Sequence, residues 1–216
     1  LITEYGYDVF YAITAICLLF VGASFFLLDN PYIKYALITL GIAFFLFTFY
    51  FFRDPERMSP EGAALILSPA DGTVVTVKDV DENIFLHGPA VQISIFMSPL
   101  NVHVNRFPVS GTIGYFQHIP GEYFAAFEDK ASLKNEQTHI GINAGTFKVF
   151  YKQIAGFIAR RIVADLHVGD EAVRGKRFGM IKFGSRVDVF VPKNCDIRVR
   201  VGDKTVGGET IVAAVR

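Results

Sequence analysis

Surplus charge, cysteine and clustered metal ligands are all scarce in this chain of 216 residues. Its 21 Lys and Arg are matched by 21 Asp and Glu, so the overall balance gives no electrostatic argument for a nucleic-acid partner. The two cysteines stand in unlike surroundings, Cys17 in an uncharged apolar run and Cys195 near the C-terminus. Neither a disulfide framework nor a cysteine metal site follows from them. The five histidines are scattered, without His-Glu-x-x-His spacing or paired cysteines, which excludes the usual zinc signatures.

Charge is missing altogether from residues 9–28 and from residues 35–52. Each run has the roughly 20 residues that a helix needs to cross a hydrocarbon core, and the polar stretch Asp29-Asn30-Pro31-Tyr32-Ile33-Lys34 between them reads as a turn. The pattern predicts a transmembrane helical hairpin with helices at about 9–28 and 35–52. A signal peptide is the rival reading of the first run, but neither a basic segment nor a small-residue cleavage site accompanies it, and a second apolar run follows at once. Arg53 and Arg57 follow the hairpin while Glu4 and Asp8 precede it, so the positive-inside bias puts the remainder on the cytoplasmic side of the cell membrane. Residues 1–57 are expected to form the membrane hairpin and residues 58–216 a second domain.

From residue 58 onward, short segments rich in β-branched residues alternate with Gly, Pro and Asn, for example Gly72–Val77, Ala90–Phe96 and Ser185–Val191. The expectation is a mainly β domain, with one short helix around residues 124–135. The pattern V-G-D-x-x-V-x-G at Val168 recurs at Val201, 33 residues later. It resembles the turn-and-strand signature of biotinyl and lipoyl carrier folds and points to a β-sandwich of repeated strands. A carrier also needs an acceptor lysine at a hairpin tip, and none stands in the expected place. A membrane-tethered carrier or binding module therefore remains the alternative function, ahead of a structural membrane protein without activity.

The peptide Phe183-Gly184-Ser185 lies between two strand-like segments. Gly-Ser is an ordinary turn pair, yet it is also a bond that can cut itself. Ser185 Oγ can attack the Gly184 carbonyl in an N-to-O acyl shift. Elimination then expels Gly184, and hydrolysis of the dehydroalanine leaves a pyruvoyl group at residue 185.

Three other segments accompany it: Ser68-Pro69-Ala70-Asp71-Gly72, the stretch Met97-Ser98-Pro99-Leu100-Asn101-Val102-His103-Val104-Asn105-Arg106-Phe107-Pro108, and Asp129-Lys130-Ala131-Ser132 followed by Asn135-Glu136. With Arg177–Asp188 they resemble the short, archaeal and bacterial type of phosphatidylserine decarboxylase, in the family's order and over residues 52–215. The resemblance implies a proenzyme cut between Gly184 and Ser185, and a pyruvoyl group derived from Ser185 in place of pyridoxal phosphate or a metal. It also implies Schiff-base formation with phosphatidylserine, loss of CO2 and release of phosphatidylethanolamine. The partners implied are the membrane phospholipid and a heterodimer of self-derived α and β chains, with a homo-oligomer left open and no nucleic acid.

The serine hydroxyl needs a base and the base needs an orienting group. His103 is assigned as the base and Asp71 as the group that orients it, an arrangement recognised by roles and not by chain order. The plain readings stand beside these: Asp71 before Gly72 as a turn residue, and His103 between Val102 and Val104 as a strand histidine. Some longer family members carry a second histidine three residues after the one matching His103, where this chain has Arg106. His118 is held in reserve, and His87, His139 and His167 are assigned nothing. Lys130 and Arg106 are candidates for the substrate's phosphate or carboxylate, with a solvated surface as their plainer home. The aromatic group Tyr115, Phe116, Tyr123, Phe124 and Phe127 reads as core, or as rings dipping into lipid headgroups.

Overall fold

The computed structural model describes residues 2–62, 64–122, 134–156, 162–182 and 185–216. The chain forms two compact units, Leu1–Pro55 and Glu56–Arg216. In the first, α1 (Tyr7–Leu27) and α2 (Pro31–Phe51) are each 21 residues long. The second helix starts four residues before the uncharged run does. Asn30 Oδ1 accepts hydrogen bonds from the N–H groups of Tyr32 and Ile33, and Pro31 takes the first helical position, where no N–H is needed. Both helices are long and apolar enough to cross a membrane, yet only 17% and 11% of their most apolar windows are buried. Core helices of a soluble domain would be covered, so the outward-facing Leu19, Phe26 and Leu27 are consistent with membrane association. Below the helices, Thr3 N–H donates to Phe52 O at 2.9 Å, and Gly6 lies so close to the Phe52 ring that a Cβ there would meet it at 2.2 Å.

The second unit is mainly β. Its strands are β1 (Leu65–Leu67), β2 (Gly72–Glu82), β3 (Gly88–Met97), β4 (Val104–Arg106), β5 (Gly111–Ile119), β6 (Gln137–Asn143) and β7 (Lys148–Ala155). They continue with β8 (Ile162–Ala164), β9 (Glu171–Ala172), β10 (Arg177–Ile181), β11 (Ser185–Pro192), β12 (Asp196–Ile197), β13 (Lys204–Thr205) and β14 (Ile211–Ala214). One sheet has the order β13-β2-β3-β11-β7-β6-β5-β9, and two smaller sheets have the orders β1-β14-β12 and β4-β10-β8. Residues of all three sheets share one core, in which Val187, Ile95 and Tyr151 of the large sheet meet Val212 and Phe178 of the small ones. Along β11 the odd positions Val187, Val189 and Val191 enter that core while Arg186, Asp188 and Phe190 take the other face, as the period of two requires. Phe85, carried by the turn after β2, covers part of that second face, lying over Gly141 where a Cβ would sit 2.7 Å from its ring. The expected helix at 124–135 falls mostly on residues 123–133, which lie outside the described residues, as do Lys130, Tyr123, Phe124 and Phe127.

The repeated Val-Gly-Asp segments fold alike. Gly169 and Gly202 have φ of +101° and +99°, a conformation open to glycine at little cost. Asp170 and Asp203 accept hydrogen bonds from the N–H groups of His167 and Arg200 at 2.7 and 3.0 Å. The strands that follow, β9 and β13, pair with the starts of β5 and β2 respectively. These two starts are themselves a repeat, Phe107-Pro108-Val109-Ser110-Gly111-Thr112 against Ser68-Pro69-Ala70-Asp71-Gly72-Thr73. Leu67 N–H donates to Pro108 O and Arg106 N–H to Pro69 O, both at 2.9 Å. The unit thus has an internal two-fold relation that reaches the segments holding Asp71 and Asn105.

Candidate active site

One pair of chain segments meets twice. β3 and β11 pair in the large sheet, with Met97 opposite Ser185, and the continuations of the same segments pair in a small sheet, with Val104 opposite Met180. Ser185 stands at the first rung. His103 stands one residue from the second, its carbonyl accepting from Ile181 N–H at 3.3 Å. The topology therefore gathers residues 97–105, residues 180–182 and Ser185 at one end of the large sheet, where β2 also begins, just after Asp71.

Ser185 occupies a central strand between Met97 of β3 and Ala155 of β7 and has no exposed surface. Its Oγ donates to Met97 Sδ at 3.3 Å. A thioether is a weak acceptor, so the hydroxyl is oriented without being strongly engaged.

His103 is also fully buried. The turn before it is closed by Asn101, whose Oδ1 accepts from Ser98 N–H and Ser98 Oγ, both at 2.9 Å. The Asn101 carbonyl lies 2.9 Å from His103 Nδ1. A carbonyl can only accept, so Nδ1 carries the proton and Nε2 carries the lone pair in the neutral ring. That is the tautomer required of a base.

Asp71 receives Gly207 N–H on Oδ1 at 2.7 Å and Arg57 NH2 on Oδ2 at 3.0 Å. The ring-fixing bond at His103 Nδ1 thus comes from a backbone carbonyl, whereas the Asp71 carboxylate is held by an arginine and a turn amide. Gly184, the other half of the expected scissile bond, lies outside the described residues, as does Phe183.

A buried polar chain, not foreseen from the sequence, leads to the same place. Thr138 Oγ1 donates to Gln153 Oε1 at 2.5 Å, and Gln153 Nε2 donates to Asn105 Oδ1 at 2.8 Å. Asn105 Nδ2 faces Pro69 O at 3.4 Å and Met97 Sδ at 3.8 Å. Asn105 and Gln153 have no exposed surface and Thr138 is 2% exposed. The signal available in the sequence was the polar Gln153 on the alternating face that carries Val149 and Tyr151.

Arg106 is 4% exposed and donates to Gly175 O at 2.9 Å, so the solvated surface named as its plainer home is replaced by a buried structural position. His118 is on β5 and within 2.9 Å of Glu136 Oε1. His139 faces the far side of the sheet, where burial first and the Lys152 charge second push its pKa down to about 4. Tyr115 packs against Phe85 and Phe150, and Phe116 packs on the main core.

Comparison with known proteins gives a consistent result. Residues 44–213 match the phosphatidylserine decarboxylase family. A phosphatidylserine decarboxylase proenzyme of Chlorobium phaeobacteroides is 44% identical over 211 residues, covering 97% of this chain and 98% of its own. The protein of the same name from Chlorobium luteolum is 48% identical over 184 residues, 85% and 86% of the two chains. That of Amoebophilus asiaticus is 48% identical over 171 residues, 79% and 76%.

Proposed function

The chain belongs to the phosphatidylserine decarboxylase family, and from that membership we propose that it decarboxylates phosphatidylserine after cutting itself between Gly184 and Ser185. The observation that carries the reading is Ser185 itself: a fully buried serine opening a central strand, with its hydroxyl on a thioether.

Maturation uses the chain's own atoms. Ser185 Oγ passes its proton to His103 Nε2 and bonds to the Gly184 carbonyl carbon, whose C–N bond then breaks as the Ser185 nitrogen takes up a proton. An ester joins the two residues. Removal of the Ser185 α proton and rupture of its Cβ–O bond expel the Gly184 carboxylate and leave dehydroalanine, which tautomerises, adds water and releases ammonia. The Asn101 carbonyl keeps the imidazole in its base form, and Asp71 supplies negative charge at this end of the sheet to favour the imidazolium that forms.

The site fits a pyruvoyl group, because the Met97 sulfur that meets a hydroxymethyl in the precursor packs equally well on the methyl that replaces it. A pyruvoyl ketone supplies an electron sink for the pair left when CO2 departs from the amino acid headgroup. In the mature protein the Ser185 hydroxyl is gone, and the role left for the His103 imidazole is to return a proton to the substrate carbon.

Residues 185–216 carry β11 to β14, of which β11 lies between β3 and β7, β13 pairs with β2 and β14 with β1. Strand pairing and the common core hold this short chain in place after the cut. The apolar hairpin keeps the enzyme at its lipid substrate, with the β unit on the side favoured by Arg53 and Arg57.

Intact mass under denaturing conditions, with and without a carbonyl-reactive hydrazide, tests the reading. Two chains are expected, the smaller beginning at residue 185 with a hydrazide-reactive end. Ser185→Ala is expected to yield one uncut chain without activity on phosphatidylserine. An Ser185→Ala chain that still splits would overturn the assignment.

A further inference from the structure

The oxygen that becomes negative during self-cleavage needs a donor, and the buried amide chain ends on one. The acceptor on its far side fixes which way Asn105 faces. Its Oδ1 is taken by Gln153 Nε2 at 2.8 Å, and Gln153 Oε1 is in turn taken by the Thr138 hydroxyl at 2.5 Å. The group on its other side, Pro69 O, can only accept. Turning the amide over would aim Oδ1 at a carbonyl and a sulfur, two acceptors, and would set two NH2 groups against each other at Gln153. Nδ2 therefore points toward Met97 and Pro69.

What it meets there is poor. The Met97 sulfur is a weak acceptor at 3.8 Å and the Pro69 carbonyl is distant at 3.4 Å, while Pro69 O already receives Arg106 N–H at 2.9 Å. A fully buried amide donor normally finds a strong acceptor. Ser185 Oγ and Asn105 Nδ2 instead converge on the same thioether. A thioether holds both groups in position and competes weakly for either, so each remains available for a stronger interaction when charge develops.

We infer that Asn105 is the oxyanion donor of the self-cleavage step: its Nδ2–H leaves the Met97 sulfur for the oxygen that turns negative as Ser185 Oγ adds to the preceding carbonyl. The inference rests on the reading of Ser185 given above and adds a residue to it. No proton is transferred by Asn105. The electron pair of the carbonyl moves onto its oxygen, is stabilised there by the amide, and returns when the C–N bond breaks. Because the amide is held by Gln153 and Thr138 before the reaction starts, no reorganisation is needed at that moment. Gln153 and Thr138 are positioning residues and act only through Asn105.

The test follows the appearance of the fragment 185–216 by mass during synthesis of the full chain in the presence of phospholipid vesicles, at several pH values. Asn105→Asp keeps the size of the side chain and replaces the donor by an acceptor; Asn105→Ala removes it. Loss of one preorganised donor is expected to slow cleavage by about 10²–10³-fold. Since neither the amide nor an alanine titrates, the factor for Asn105→Ala is expected to be the same at every pH, with the midpoint of the rate profile unmoved. A shifted midpoint in Asn105→Ala would assign Asn105 to the support of His103 and overturn the inference, as would a folded Asn105→Asp chain cutting, at a pH where its carboxyl is ionised, within about threefold of the parent rate, against the loss expected for a donor. Thr138→Val leaves Asn105 in place and frees the far end of the chain. It is expected to slow cleavage by only about 3–10-fold, a fraction of the loss of the donor itself, and an unchanged rate there would remove the preorganisation argument. If the parent itself stays uncut, it is the reading of Ser185 that fails; if the parent cuts and the Asn105 variants match it, only the present inference does.

Discussion

The segments entering β2 and β5 are built on one plan and differ at one informative position. In the second, Ser110 Oγ accepts Arg174 N–H at 3.0 Å; in the first, Asp71 Oδ1 accepts Gly207 N–H at 2.7 Å. Arg174 and Gly207 are the same position of the Val-Gly-Asp repeat, 33 residues apart. A hydroxyl is thus sufficient to close this turn. The first segment nonetheless carries a carboxylate whose side chain is only 14% exposed, and its second oxygen needs Arg57 to offset the loss of water. The turn explains one oxygen of Asp71 and not the other. The half that keeps the charge is also the half whose segment opens β2, the strand that begins at the end of the sheet where Ser185 and Met97 lie. Where a fold repeats itself, a residue that exceeds its counterpart's structural duty is a candidate for chemistry.

The largest effect that can break this comparison comes from making the halves alike. Asp71→Ser restores the hydroxyl cap and deletes the charge. If Asp71 supports the His103 imidazolium, cleavage at residue 185 is expected to slow by about 10²-fold, within the range for general base catalysis, while the thermal midpoint drops by only a few degrees. A variant with normal cleavage and the same modest loss of stability would reduce Asp71 to a turn residue, as its position before Gly72 suggests on pattern alone.

A smaller effect sharpens the equivalence of the turns themselves. Gly169 and Gly202 share a positive φ, and a Cβ added at either would meet no atom within 4 Å. Substitution by Ala is therefore a pure test of backbone conformation, expected to cost about 1–2 kcal/mol at each site. Equal losses in chemical denaturation would show that the two turns carry the same load. A clear inequality would mean that one of them is held by something besides its own geometry.

Much of this architecture was legible in the chain. Two uncharged runs of helix-spanning length stand out by the absence of charge alone, and only the start of α2 was misplaced, because the Asn30 cap and Pro31 lie inside what reads as a polar turn. The Val-Gly-Asp repeat was visible because glycine at positive φ and a carboxylate closing its own turn leave few alternatives. The matching repeat at Asp71 and Ser110 was harder to see, since a pattern of Pro, Gly and Thr tolerates almost anything between. Ser185 and His103 were singled out through the family resemblance. The Thr138–Gln153–Asn105 chain was not, because it joins residues from three strands whose neighbourhood depends on pairing order. The bond from Asn101 to the His103 ring uses a backbone carbonyl, an atom that every residue has and no sequence marks.

The smallest effect lies at the uncharged cap of the second turn. Ser110→Ala deletes the acceptor for Arg174 N–H and nothing else that has been assigned a role. Arg174 is anchored independently, its guanidinium donating to the carbonyls of Gly62 and Pro60, so its segment keeps its place when the cap is lost. The turn is at the surface, where water replaces the hydroxyl, and the loss is expected to be about 1 kcal/mol, the value of one ordinary hydrogen bond. Cleavage at residue 185 is expected to proceed at the parental rate. The contrast with Asp71→Ser is then between two caps of equal structural worth, only one of which reaches the reaction. Were Ser110→Ala to slow cleavage as much as Asp71→Ser does, the rate would be reporting the integrity of the paired turns and not the charge of Asp71.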